Sequence, residues 1–283
     1  MSEFILDGRV DPAIQAQAAQ RAGVADRADQ PVLQVADLSK RFGGVAAVSG
    51  VTLDVTAGEV LAIIGPNGAG KTTLYNLLSG RMVPTSGRIV FAGRDITGLP
   101  PQRISRMGVS RSFQISNIFP EMTVRENVEV ALTAYRGDSR RWWRPASSNR
   151  PVQEEADRLL AELSLGGLGG QRAGTISYGD KRLLEIAVVL ATRPSLVMLD
   201  EPTAGMTPEE TRKVTALIKT LWESGQYTFL ITEHDMEVVF SLATRILVMH
   251  RGQVLALGTP EQVRAHPEVR RAYLGEEEEE QPA

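Results

Sequence analysis

The sequence predicts an α/β fold: a mostly parallel sheet with helices on both faces, a smaller antiparallel sheet beside it, and an inserted helical lobe. Three observations carry this prediction. Short apolar runs at Val60–Ile64, Ser195–Leu199 and Tyr227–Thr232 alternate with helical periodicities, the pattern of parallel strands buried on both faces. The first run leads straight into a Gly-rich loop, Gly65-Pro66-Asn67-Gly68-Ala69-Gly70-Lys71-Thr72, which opens a helix. From Thr97 to about Ala191 the strand signals thin out and helical periodicities broken by loops take over.

In chain order, residues 1–30 are rich in Ala, Gln, Asp and Arg and have little to bury, so a disordered extension is expected there. Val32-Leu33-Gln34-Val35 and Val51–Val55 read as strands, with a turn at Gly43-Gly44 between them. Leu74 to Leu78 follow the loop with helical spacing, and Arg88–Phe91 reads as a strand of the antiparallel sheet. In the lobe, helices are expected from Leu99 to about Met107, Met122 to about Tyr135, Val152 to Leu165 and Lys181 to Ala191. The basic, turn-rich stretch around Trp142 and Trp143 reads as an exposed insertion, while Ile115, Ile118, Phe119 and Pro120 look like exposed apolar loop residues. A helix at Pro208–Glu223, a helix ending at Leu242 and two strands, Arg245–Met249 and Gln253–Ala256, complete the fold. The run Glu276–Glu280 marks an acidic disordered tail, so residues 31–275 are expected to form one domain.

Composition limits the function. The 283 residues carry a formal net charge of −3, which argues against a dedicated nucleic-acid binder. There is no cysteine, hence no disulfide framework and no thiolate metal site. No apolar run approaches the ~20 residues needed to span a bilayer, and the N-terminus lacks the apolar core of a secretion signal. A cytosolic protein is expected, with any membrane role borrowed from a partner.

The spacing G-x-x-x-x-G-K-[ST] between a strand and a helix is that of a phosphate loop. Glycines let successive N–H groups face one anion, and the helix N-terminus behind them adds positive dipole. Lys71 would reach the β- and γ-phosphates of ATP, and the Thr72 hydroxyl would ligate Mg²⁺, with Thr73 beside it. Four apolar residues ending in Asp200 match a Walker B strand, whose acid serves Mg²⁺, and Glu201 next to it is placed to polarise an attacking water. His234 ends another strand of the same sheet, at the edge where such folds gather ligands, and is expected at the γ-phosphate.

With these pieces, the chain resembles the ATP-binding subunits of ABC transporters from about Val32 to Leu274. The phosphate loop, Gln114, Ser177-Tyr178-Gly179, Asp200-Glu201 and His234 occur in that family's order. The resemblance implies that Phe42 stacks on adenine, Gln114 senses Mg²⁺ and the γ-phosphate, and Ser177, Tyr178 and Gly179 meet the ATP of a second subunit. Such a subunit, a paralogue or a second copy, would pair head to tail with this one. The pair would drive two membrane permease subunits and, indirectly, a solute-binding protein, from the inner face of the membrane.

Two positions depart from the commonest family pattern. L-S-G-G-Q appears as Ile176-Ser177-Tyr178-Gly179-Asp180, and S-x-L-D appears as Ala204-Gly205-Met206-Thr207, without the aspartate that normally communicates between the two sites. Both departures resemble the branch serving branched-chain amino-acid uptake, as do Arg111-Ser112-Phe113-Gln114, Glu121–Asn127 and Arg271–Glu276. A sister branch importing urea and short amides shares several of these features. Soluble ABC ATPases of translation or DNA repair usually carry two cassettes or a long coiled coil, and this chain shows one phosphate loop and no heptads.

Overall fold

The computed structural model describes residues 31–112, 118–136 and 150–271. The expected N-terminal extension, Gln114, the Trp142-Trp143 insertion and the acidic tail lie outside these residues.

Strands β1 (Pro31–Phe42), β2 (Val45–Thr56), β4 (Ser86–Phe91) and β5 (Arg94–Asp95) form an antiparallel sheet in the order β2-β1-β4-β5. Strands β3 (Val60–Ile64), β6 (Val109–Arg111), β7 (Leu196–Asp200), β8 (Thr228–Thr232), β9 (Arg245–His250) and β10 (Gln253–Gly258) form a second sheet in the order β10-β9-β3-β8-β7-β6. Its pairings are parallel except for β10 on β9.

Every residue of β3, β7 and β8 is buried, as a strand covered on both faces requires. The period of two then divides their side chains. Leu61, Ile63, Leu196 and Met198 face a core shared with the antiparallel sheet and with α1 (Lys71–Leu78). Val60, Ala62, Ile64, Val197 and Leu199 face the opposite core, beneath the remaining long helices. Strands β1 and β2 extend well beyond the apolar runs at 32–35 and 51–55. Antiparallel pairing leaves parts of them exposed, and polar residues such as Ser39, Lys40 and Arg41 there hide the strand signal.

The lobe contains α2 (Pro101–Arg106), α3 (Val124–Arg136), α4 (Arg150–Glu162) and α5 (Tyr178–Leu190). Its stripes repeat at i, i+4: Val124, Val128 and Leu132 on α3, then Val152, Ala156 and Leu160 on α4. Full burial of each large aliphatic side chain contributes about 1.5–3 kcal/mol relative to exposure. Ile118 departs from expectation, since it is buried in this same core rather than exposed in a loop, whereas Phe119 beside it is 52% exposed. Helices α6 (Pro208–Glu223) and α7 (Met236–Leu242) link the later strands. After β10, α8 (Pro260–Ala265) and a short α9 (Pro267–Val269) follow, where no helix was expected. Thr259 and Gln262 start α8 with a reciprocal capping box.

Candidate nucleotide-binding site

The order β3-β8-β7 brings the carboxyl ends of three strands together, so the phosphate loop, the segment after Asp200 and the segment after Thr232 share one edge. Two loop glycines are dictated by space as well as by φ. A Cβ on Gly65 (φ +148°) would lie 2.2 Å from the Met249 carbonyl oxygen, and one on Gly70 (φ +101°) 2.4 Å from that of Ala47. The second contact also explains why the β1–β2 turn, with Phe42, stands beside the loop: Ala47 lies near the start of β2, and Phe42 pairs with Val45. Phe42 is 47% exposed and is not core packing; the Lys40 ammonium lies 5.3 Å from its ring centroid.

Helix α1 starts without a side-chain cap, and Leu74 N–H bonds back to Gly70 O at 2.9 Å. The amides of Lys71, Thr72 and Thr73 stand in the first turn, where helical N–H groups have no partner within the helix. Lys71 Nζ donates to Gly65 O at 2.5 Å and Pro66 O at 3.0 Å, folding the ammonium back onto its own loop. Burial lowers its pKa, opposed by the charge of Glu201. The Tyr75 hydroxyl, inside the sheet, donates to Leu199 O at 2.8 Å and also contacts Leu230 O; burial pushes its pKa well up.

Asp200 is buried, with Oδ1 accepting from Thr232 Oγ1 at 2.6 Å and Oδ2 from Arg111 Nη2 at 2.7 Å. Glu201 leaves the strand at φ +47°, with its N–H donating to Thr232 O at 3.0 Å. Its Oε1 lies 2.9 Å from His234 Nε2, and the two side chains are 30% and 46% exposed, open to an incoming ligand. The buried Glu233 carboxylate fixes their relative placement. Oε1 accepts from Thr203 N (2.9 Å) and Oγ1 (2.6 Å), and Oε2 accepts from His234 N (3.1 Å). Arg182, from α5, donates to the carbonyls of Asp200 (3.1 Å), Glu201 (2.6 Å) and Pro202 (3.1 Å), and pairs with Glu185 at 2.6 Å.

Ser177 caps α5, exchanging hydrogen bonds with Asp180, and Tyr178 is 55% exposed. With Gly179 they flank α6, and the groove that Ser177 and Gly179 line there contains no phosphate-loop residue. Thr207 is the N-cap of α6 in a capping box with Glu210, so this departure from aspartate replaces one good capping residue with another. Glu210 Oε1 also accepts from Gly179 N at 3.1 Å, joining the two segments. A second cleft, of about 170 Å³, lies between α1, α2, β6 and α5; Ile104, Val109, Arg111, Ile118 and Val189 help to line it.

Lys71, Thr72, Asp200, Glu201 and His234 thus all belong to one sheet edge. The contacts that Arg111, Arg182, Glu210 and Glu233 make at this edge were not read from the sequence, where Arg111 figured only within a motif of the resemblance. Only Glu210 carried a local signal there, the T-x-x-E spacing of a capping box.

The sequence profile of the ABC transporter family matches residues 48–204. The chain belongs to this family. It is therefore an ATP-binding cassette, and an ATPase. A second profile, that of branched-chain amino acid ATP-binding cassette transporters, matches residues 253–279. The cassette is 45% identical over 252 residues to BraF of Pseudomonas aeruginosa, a high-affinity branched-chain amino acid transport ATP-binding protein, covering 87% of this chain and 99% of BraF. To LivG of Escherichia coli, of the same description, it is 44% identical over 252 residues, with the same coverage. Among solved structures, it resembles an ABC transporter cassette in its ADP conformation with a TM-score of 0.77 at 33% identity, covering 87% of this chain and all of that one. A nucleotide-free cassette matches with a TM-score of 0.76 at 32% identity and the same coverage.

Proposed function

We propose that the cassette powers uptake of branched-chain amino acids through separate permease subunits. The observation that carries the reading is the convergence of Lys71, Thr72, Asp200, Glu201 and His234 on one edge, in a chain so similar to BraF and LivG. ATP fits the residues present. The cradle is closed by glycines that a Cβ would clash with, and Lys71 is held by two neutral carbonyl acceptors that an anionic phosphate would outcompete. Among the described residues, no group of three or more acidic or His side chains could hold a metal alone. Thr72 and Asp200 suit Mg²⁺, which is commonly shared with substrate phosphates and water. Bound there, Mg²⁺ would neutralise charge on the phosphates.

The chain's own groups then divide the work. Lys71 and the first-turn amides bind phosphate, Phe42 stacks on adenine, Glu201 orients water, and His234 holds the γ-phosphate. The rate gain comes from positioning and charge stabilisation. Gln114 keeps its expected role at Mg²⁺ and the γ-phosphate. Ser177, Tyr178 and Gly179 serve the ATP of a second ATP-binding subunit, a paralogue or another copy of this chain. The apolar cleft near Ile118, with exposed Phe119, receives a permease helix, which places the cassette, residues 31–275, on the inner face of the membrane.

The test is purification from the membrane with its co-purifying subunits, reconstitution into vesicles and measurement of ATP-driven uptake. Leucine uptake is the expected result. Urea uptake without leucine uptake would assign the cassette to the amide branch, and a chain with no membrane partner would overturn the transport reading.

A further inference from the structure

Arg111 ends β6, where the parallel register sets it opposite Met198, two residues before Asp200. Its side chain is 7% exposed and that of Asp200 4%, so both charges are effectively out of water. Buried charges are costly unless paired and hydrogen-bonded, and this pair is both. Arg111 Nη2 donates to Asp200 Oδ2 at 2.7 Å. Nη1 donates to Asn76 Oδ1 at 2.7 Å and Ser79 Oγ at 3.0 Å, at the far end of the phosphate-loop helix. The guanidinium carbon lies 5.1 Å from the Tyr75 ring centroid, and Asp200 N–H points to Ser112 Oγ at 3.4 Å. Nε is buried and has no hydrogen-bond partner among the described residues. One cation thus spans the helix behind the phosphates and the acid across from it.

We infer that Arg111 is a positioning residue for Asp200, serving as its resident counter-ion when no metal is held. The inference rests on the reading of Asp200 as the Mg²⁺ acid. A buried carboxylate is costly unless a positive partner stands beside it and fixes its direction. Arg111 supplies that charge, while Thr232 orients the other oxygen. Each carboxylate oxygen has two acceptor positions, so the pairing leaves room for a further ligand. When a cation is bound, the charge demand on Arg111 falls.

The test is a double-mutant cycle on the full chain: Arg111→Met, Asp200→Asn and the two together. Thermal unfolding is followed without nucleotide, with ATP plus chelator, and with ATP plus Mg²⁺. Without nucleotide, Arg111→Met should lower Tm by roughly 10 °C, the scale of a broken buried pair in a chain of this size. Adding Asp200→Asn should return much of that loss. The Mg²⁺-dependent part of the ATP-induced rise in Tm should be larger in Arg111→Met than in the unmodified chain, because the metal replaces a missing charge. Should Arg111→Met not fold, Arg111→Lys keeps the charge without the fork; its expected results are an intermediate loss and an unmodified-sized Mg²⁺ increment. Equal destabilisation by Arg111→Met in both backgrounds would overturn the inference. So would an unchanged Mg²⁺ increment, which would leave Arg111 a purely structural residue. A Mg²⁺ increment that survives Asp200→Asn would instead refute the metal role of Asp200 and leave the pairing intact.

Discussion

His234 Nε2 and Glu201 Oε1 lie 2.9 Å apart, although 33 positions separate them in the chain. The two residues follow neighbouring strands, β8 and β7, and only the parallel register between those strands brings them together. If Glu201 orients the attacking water, Glu201→Gln keeps the side-chain volume but loses the charge. Hydrolysis is expected to fall by about 10²-fold or more, the size of a general-base effect. ATP binding should survive, because Lys71, Thr72 and Asp200 are untouched. With the matching glutamate of a partner cassette also replaced, size-exclusion chromatography should show an ATP-dependent larger species. Near-normal turnover would remove Glu201 from the chemistry.

Phe42 is half exposed beside the phosphate loop, so its removal should cost affinity rather than stability. Phe42→Ala is expected to weaken ATP binding by about 1 kcal/mol, the scale of aromatic stacking, and Phe42→Trp to preserve it. Nucleotide titration with a parallel melting curve separates the two effects. A lower Tm with unchanged affinity would count against stacking.

Thr207 accepts from Glu210 N and starts α6. Thr207→Ala should destabilise the cassette by about 0.5–2 kcal/mol, whereas Thr207→Asp should retain the cap. Urea denaturation would detect the difference as a shift in midpoint. Equal midpoints for the three proteins would show that the capping box contributes nothing measurable.

Phe119 is 52% exposed next to the core residue Ile118. Phe119→Asp should leave basal ATP hydrolysis intact and abolish its stimulation by solute in the assembled transporter. Full stimulation in the variant would move the permease contact elsewhere.

The parts legible in the sequence were those with local causes. The apolar runs of β3, β7 and β8 announced buried strands, and the loop glycines announced their own backbone geometry. Asp200 and His234 could be placed because strand ends in a parallel sheet are aligned by topology. The contacts of Arg111, Arg182 and Glu233 escaped for the opposite reason. Each acts through partners set by packing; Arg111, for instance, reaches 35 positions to Asn76 and 89 to Asp200, distances that no periodicity encodes. Ile118 was misread because apolar residues in irregular chain follow no period that says which is covered, and only packing against α3 and α4 reveals that Ile118 is buried while Phe119 is not. The length of β1 was hidden by polar residues on its exposed face.

Glu201 is held from two directions. Its amide hydrogen is tethered to Thr232 on the sheet, and its carbonyl oxygen to Arg182 on the lobe helix α5. Between the two tethers lies a backbone already at φ +47°, a conformation with little torsional slack for a residue bearing a Cβ. Sheet and lobe helix therefore grip the same residue, one through each of the peptide units that flank its Cα. That residue is in effect a rivet between the two parts of the fold, and its carboxylate is the rivet's partly exposed head.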